Sequence, residues 1–192
     1  MYLWLNYSHN IIKKGTSMTT TILSRKTVFN GHAFDVEKLE VRLPDGRERD
    51  YDLVSHNDSV TLLPLDKEGF IWFVSQFRMG CACQMLELPA GVMDKGETPE
   101  ACAAREIREE TGMAAGSLHQ LGSVYLAAGY SSEINHIFLA TDLSPEPLDE
   151  DEDEFLEIKR FSIKEVRKMI KKGELTDSKS LAALLLAADN LD

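Results

Sequence analysis

The stretch "GVMDKGETPEACAAREIREETGM" (residues 91–113) begins on one glycine, nears its end on another, and crowds glutamates between them. Thr98 is suited to cap a helix, Pro99 fits its first position, and Glu100 favours the positive end of the dipole. Gly112 suits the left-handed residue past the helix end. At about 100° per residue, Glu106 and Glu110 lie roughly 40° apart, with Glu109 about 60° to the other side. Three carboxylates therefore share a face, Ala103, Ala104 and Ile107 are left for packing, and Arg108 falls on the solvated side. A surface helix laced with ion pairs would place Lys or Arg four residues from each Glu, whereas Glu106 and Glu110 are like charges at that offset. Converging oxygen ligands suit Mg²⁺ or Mn²⁺, ions that also grip phosphate oxygens. On geometry alone, metal binding and a solvent-screened acidic face stand equal.

Working outward, the chain has 192 residues, enough for one cored domain and an appendage. Acids outnumber bases 32 to 21, giving a formal net charge of −11. That balance argues against nucleic acid or an anionic membrane as a partner, but not against a phosphate-bearing substrate held through a cation. Cys81, Cys83 and Cys102 are too few for a disulfide scaffold, and the CxC pair lacks the further ligands of a zinc site, so ordinary thiols in a reducing cytoplasm are expected. Residues 1–23 read as a loosely ordered extension. Its lysines follow its apolar part, the reverse of a secretory signal, and Met18 offers an alternative start.

Residues 24–57 alternate apolar and polar around the turn signal Pro44-Asp45-Gly46, and residues 58–192 form the second region. "SVTLLPLDKEGFIWFVSQFR" (59–78) reads as a hairpin, and "MLELPA" (85–90) as one short strand leading into Gly91. Strands are expected near 118–126, 133–141 and 155–162. Ser162 and Glu165 form a capping box for a helix ended by Gly173, and a last helix begins at Asp177 or Ser178 with Leu181, Leu184, Leu185 and Ala188 as its apolar face. Strands and helices without strict alternation imply a mixed α/β (α+β) architecture. The acidic run "DEDEDE" (149–154) is a poor calcium loop: Glu154 stands where a glycine is needed and Arg160 where a glutamate is.

Gly91, Glu97, Arg105-Glu106, Glu109-Glu110 and Gly112, with their spacing, resemble the Nudix box at every defined position. The resemblance implies an α/β/α sandwich with a mixed sheet and hydrolysis of a nucleoside diphosphate linked to another moiety. It implies Glu106, Glu109 and Glu110 as metal ligands, with the carbonyl of Ala90 as a further one. Gly91, Glu97, Arg105 and Gly112 are implied as structural, Glu97 and Arg105 orienting loop and helix. The flanks "VSQFR" (74–78) and "LELPAG" (86–91), with the amino-terminal β region, are similar to the ADP-ribose pyrophosphatase branch over roughly residues 24–190.

That branch implies Mg²⁺-dependent cleavage of ADP-ribose or a related nucleoside diphosphate sugar, with Mn²⁺ as a substitute. The alternative within the same family is a pyrophosphatase of nucleoside triphosphates or dinucleotides. Carried over by position, Arg78 contacts phosphates and Glu87 touches substrate or a partner of it. Phe34 and Tyr51 are candidates to stack on adenine, each weighed against core packing. Glu152 and Glu154 match a loop that bears the general base and a further metal ligand, with Glu109 the runner-up base. Exchange of the amino-terminal sheet between subunits implies a homodimer. Ala128 stands where many ADP-ribose hydrolases carry proline, which leaves the sugar open. Ser131, Ser132 and Glu133 line the sugar pocket or form a turn.

Overall fold

A computed structural model describes residues 19–148 and 155–191. Its contacts divide the chain between Val54 and Ser55 into two units. In the first, β1 (Thr21–Asn30), β2 (Asp35–Arg42) and β3 (Glu48–Ser55) form a three-stranded sheet in that order. β1 runs antiparallel to β2, and the expected turn closes with Gly46 N–H donating to Leu43 O at 2.9 Å. The strand starts at Thr21, inside the segment read as a loose extension.

The second unit holds two sheets. One has the order β7-β4-β9-β8, built from β4 (Ser59–Pro64), β7 (Ala90–Val92), β8 (Met113–Tyr125) and β9 (Ile134–Pro145). The other has the order β10-β5-β6, from β5 (Phe70–Arg78), β6 (Cys83–Glu87) and β10 (Glu157–Ser162). β4 pairs parallel with β9 and antiparallel with β7, so the first sheet is mixed. All six residues of β4 are buried, as expected of a strand covered on both faces.

Alternation along β4 and β9 divides the interior. Val60, Leu62, Phe138 and Ala140 pack with Cys102, Ala103 and Ile107 of α1 (Pro99–Thr111). Leu63, Ile137 and Leu139 face the opposite layer, with Val166 of α2 (Ile163–Lys172) and Ala183 and Leu184 of α3 (Ser178–Leu186). This is the expected helix–sheet–helix sandwich. Truncating a fully buried leucine such as Leu62 or Leu63 to alanine costs about 2–5 kcal/mol.

Four local readings are corrected. The 59–78 hairpin has its turn, with Asp66 Oδ1 accepting from the N–H groups of Glu68 and Phe70, both at 3.0 Å. After the single bridge Leu65–Ile71, however, β4 and β5 part into different sheets. "MLELPA" likewise splits at Leu88-Pro89: β6 belongs to one sheet and β7 to the other, since Pro89 has no N–H to continue a ladder. β8 starts at Met113, earlier than expected, because pairing with the far end of β9 overrides the weak strand preference of Ala and Gly. On α3 the buried face is Ser180, Ala183 and Leu184, continued by Ala187, while Leu185 is 76% exposed. Leucine abundance misplaced that face.

Candidate active site

The carrying element is α1, built as its sequence dictates. Thr98 Oγ1 accepts from Ala101 N–H at 3.2 Å, and Gly112 at φ 69° closes the end by donating to Arg108 O at 3.1 Å. Helical geometry buries Cys102, Ala103, Glu106, Ile107 and Glu110, whereas Ala104 is exposed and takes no part in the packing. Arg108 is half-buried; its Nε donates to Glu146 O at 3.0 Å and its guanidinium pairs with the Glu146 carboxylate.

Arg105 organises the carboxylates. Its Nε and Nη2 donate to the two oxygens of Glu97 at 3.1 and 3.0 Å. Its Nη1 donates to Glu106 Oε1 at 2.6 Å and Glu109 Oε2 at 2.8 Å. The pair with Glu109 is the i,i+4 ion pair that helical reasoning had looked for from the wrong residue. The hydrogen bond from Arg105 holds the Glu97 carboxyl below its ordinary range, and the same bond, with Glu106 and Glu109, pushes the guanidinium up. Glu97 also accepts from Asp94 N–H at 2.9 Å, which ties the loop to the helix. Burial pushes the Cys102 thiol up beneath this cluster, so it is an inert core thiol.

The helix is tied closely to β7. Glu110 Oε2 accepts from Ala90 N–H at 2.9 Å. A Cβ built on Gly91 would lie 1.8 Å from Cδ and Oε1 of Glu106, so only glycine leaves room for that carboxylate. Ionised carboxylates only accept hydrogen bonds, and three of them here, Glu97, Glu106 and Glu109, share one guanidinium, with Glu110 on the same helix. Among the described residues no three acidic, His or Cys side chains are closed into a formed metal cage. The donor set and the Gly91 cradle nevertheless fit a hard divalent cation.

A second cluster lies at the ends of β5, β6 and α3. Arg78 Nε and Nη2 donate to Glu87 Oε1 and Oε2 at 2.7 and 2.8 Å, a bidentate fork. Lys179 Nζ donates to the same carboxylate and to Asp177 Oδ1 at 3.0 Å. Asp177 caps α3 by accepting from Ser180 N–H at 2.9 Å, while Ser180 Oγ accepts from Leu88 N–H at 2.7 Å. Burial pushes the Glu87 carboxyl up, but the Arg78 hydrogen bonds and the Lys179 charge outweigh it and hold it below its usual range. Glu87 is 1% exposed and thus serves as a partner of Arg78. The charge of Glu110 reaches Arg78, which links the two clusters. Sequence reading missed Lys179, Asp177 and Ser180; the cap signal at Asp177 was visible, its destination was not.

Glu133 sits in a turn-and-strand network: Ser59 Oγ donates to Glu133 Oε1 at 2.7 Å and accepts from Asn135 Nδ2 at 2.9 Å. Ser131 and Ser132 form a turn, with Ser131 N–H donating to Ala127 O at 2.8 Å and Ser132 Oγ accepting from His56 N–H at 3.0 Å. Phe34 and Tyr51, in the amino-terminal unit, are 43% and 49% exposed on this chain. Glu152 and Glu154 lie outside the described residues.

The arrangement defines its class. The model of the NUDIX domain matches residues 55–184, and the chain belongs to that family of hydrolases. It is 35% identical over 170 residues to the ADP-ribose pyrophosphatase of Bacillus subtilis (strain 168), covering 88% of this chain and 92% of that one. It is 30% identical to the methanol dehydrogenase activator of Bacillus methanolicus, covering 84% and 89%. A crystal structure of an ADP compounds hydrolase superposes with a TM-score of 0.83 at 27% identity, over 92% of this chain and 97% of that one. Among the described residues no helix is long and apolar enough to cross a membrane.

Proposed function

We propose that this chain hydrolyses the pyrophosphate bond of ADP-ribose or a related nucleoside diphosphate sugar, releasing a nucleoside monophosphate and a sugar phosphate. The observation that carries the reading is the acid-rich face of α1, held against Gly91 and Ala90 in a chain 35% identical to an ADP-ribose pyrophosphatase.

Glu106, Glu109, Glu110 and the Ala90 carbonyl would hold Mg²⁺, or Mn²⁺ in its place. When bound, the ion neutralises diphosphate charge and lowers the pKa of a coordinated water. Arg105 pins two of the carboxylates and the preceding loop, so the ligands arrive already oriented. Arg78, steadied by Glu87, presents a guanidinium to the charge that develops on phosphate. Glu152 or Glu154 takes the proton of the attacking water, with Glu109 the second choice. Phe34 and Tyr51 are our candidates to stack on the adenine, and Glu133 our candidate to meet the sugar. The exposed Ile22, Val28 and Phe29 of β1 support a homodimer formed through the amino-terminal unit. A cytoplasmic setting agrees with the free thiols.

The test is a panel of ADP-ribose, a nucleoside diphosphate hexose, NADH, a diadenosine polyphosphate and ATP, each with Mg²⁺, Mn²⁺ or chelator. Monophosphate released from ADP-ribose or the hexose, only with a divalent ion, is the expected result. Release from ATP or the dinucleotides alone would overturn the substrate assignment.

A further inference from the structure

Outside the catalytic machinery, the turn between β5 and β6 carries two thiols in contact. Cys81 Sγ and Cys83 Sγ lie 2.7 Å apart, and both residues are exposed. The residue between them sets this geometry. Ala82 takes φ 50°, in the left-handed region that disfavours an L side chain, and its N–H donates to Met79 O at 3.3 Å. The turn thus holds Ala82 in a strained conformation that brings both sulfurs to one side.

We infer that Cys81 and Cys83 form a reversible intramolecular disulfide by exchange with a low-molecular-weight disulfide. Two alternatives fit less well. Two thiolates gripping one metal ion at about 2.3 Å stand farther apart than this contact, and among the described residues no group of three possible ligands gathers there. Permanently separate thiols would stand at an ordinary sulfur–sulfur separation, well beyond 2.7 Å.

The exchange balances as follows. One Cys thiolate attacks a sulfur of the small disulfide RSSR; the S–S bond breaks and RS⁻ leaves with the bonding pair, then takes up a proton. The second Cys, having lost its proton to solvent, attacks the protein sulfur of the mixed disulfide and expels the second RS⁻. The protein loses two protons and two electrons, and RSSR becomes two RSH. The hydrogen bond with Cys81 pushes the Cys83 thiol up. Buried Cys102 takes no part. Cys83 is the ladder partner of Arg78, and Cys81 Sγ contacts Arg78 O at 3.5 Å, so the closed ring would sit at the foot of the strand bearing that arginine.

The experiment exposes the full-length protein to oxidised glutathione and reads fast-reacting thiols and intact mass. The expected wild-type product has lost both fast thiols and the mass of two hydrogens, retains no glutathione, and reverts with dithiothreitol. Cys81→Ser and Cys83→Ser should each stop at a stable glutathione adduct, because the resolving thiol is gone. A wild-type protein that retains glutathione as stably as either variant, or that keeps both thiols while the variants react, overturns the proposal. Neither residue belongs to the hydrolytic site, so either result leaves the proposed hydrolysis standing.

Discussion

Two clusters of charge meet across the hydrolase unit, and they are built on opposite principles. Around Arg105, three carboxylates share one guanidinium; around Glu87, two carboxylates are matched by the cations of Arg78 and Lys179. The first cluster sets three carboxylates against one guanidinium, a donor set that suits a cation from outside. The second closes on itself and leaves its arginine positioned. Both are ion-pair networks to the eye, but the balance of charge separates a site that recruits from one that holds.

The largest expected departure comes from removing charge in the unbalanced cluster while preserving shape. Glu110→Gln keeps an oxygen to accept from Ala90 N–H, so the fold should persist while turnover falls about 10³-fold, in the range for loss of a group acting at the reacting centre. Steady-state rates beside a circular dichroism melt would read both; wild-type turnover in that variant would refute its ligand role. Gly91→Ala should come next. Its methyl occupies the space of the Glu106 carboxylate, and an ångström of displacement there predicts about a 10²-fold loss although no reacting group has changed. Unaltered kinetics would mean that the carboxylate position is unimportant.

Lys179→Met probes the balanced cluster and should show mainly in stability. It leaves buried Glu87 with Arg78 alone, at a cost of about 2 kcal/mol in denaturant unfolding. Because the folded Glu87 carboxyl lies below its ordinary value of about 4.3, it contributes stability present above that pH and lost as pH falls through the folded value. Removing Lys179 raises the folded value, so acid unfolding should begin at higher pH in the variant. An unmoved acid midpoint would show that Lys179 contributes nothing to holding that charge.

The two clusters also differ in how far they could be read beforehand. The helix of the first was legible, because Thr98, Pro99 and Gly112 act on neighbours a few residues away and the three glutamates follow from helical pitch. The second was half-legible: Arg78 and Glu87 stood out, but Lys179 meets Glu87 from 92 residues downstream, which no local pattern encodes. The sheets repeat this lesson. The turn at Asp66 was plain in sequence, yet the parting of β4 from β5 depends on partners elsewhere in the chain. On α3, Leu184 was read correctly, but plentiful leucine hid the Ser180 and Ala183 that complete its buried face.

The parallel pairing of β4 with β9 has a consequence for biosynthesis. Ser59 aligns with Asn135, 76 residues later, so the ribosome releases an apolar strand long before its neighbour exists. Until β9 emerges, β4 offers an unpaired edge to other nascent chains, which makes this interval the point at which chaperones would matter most.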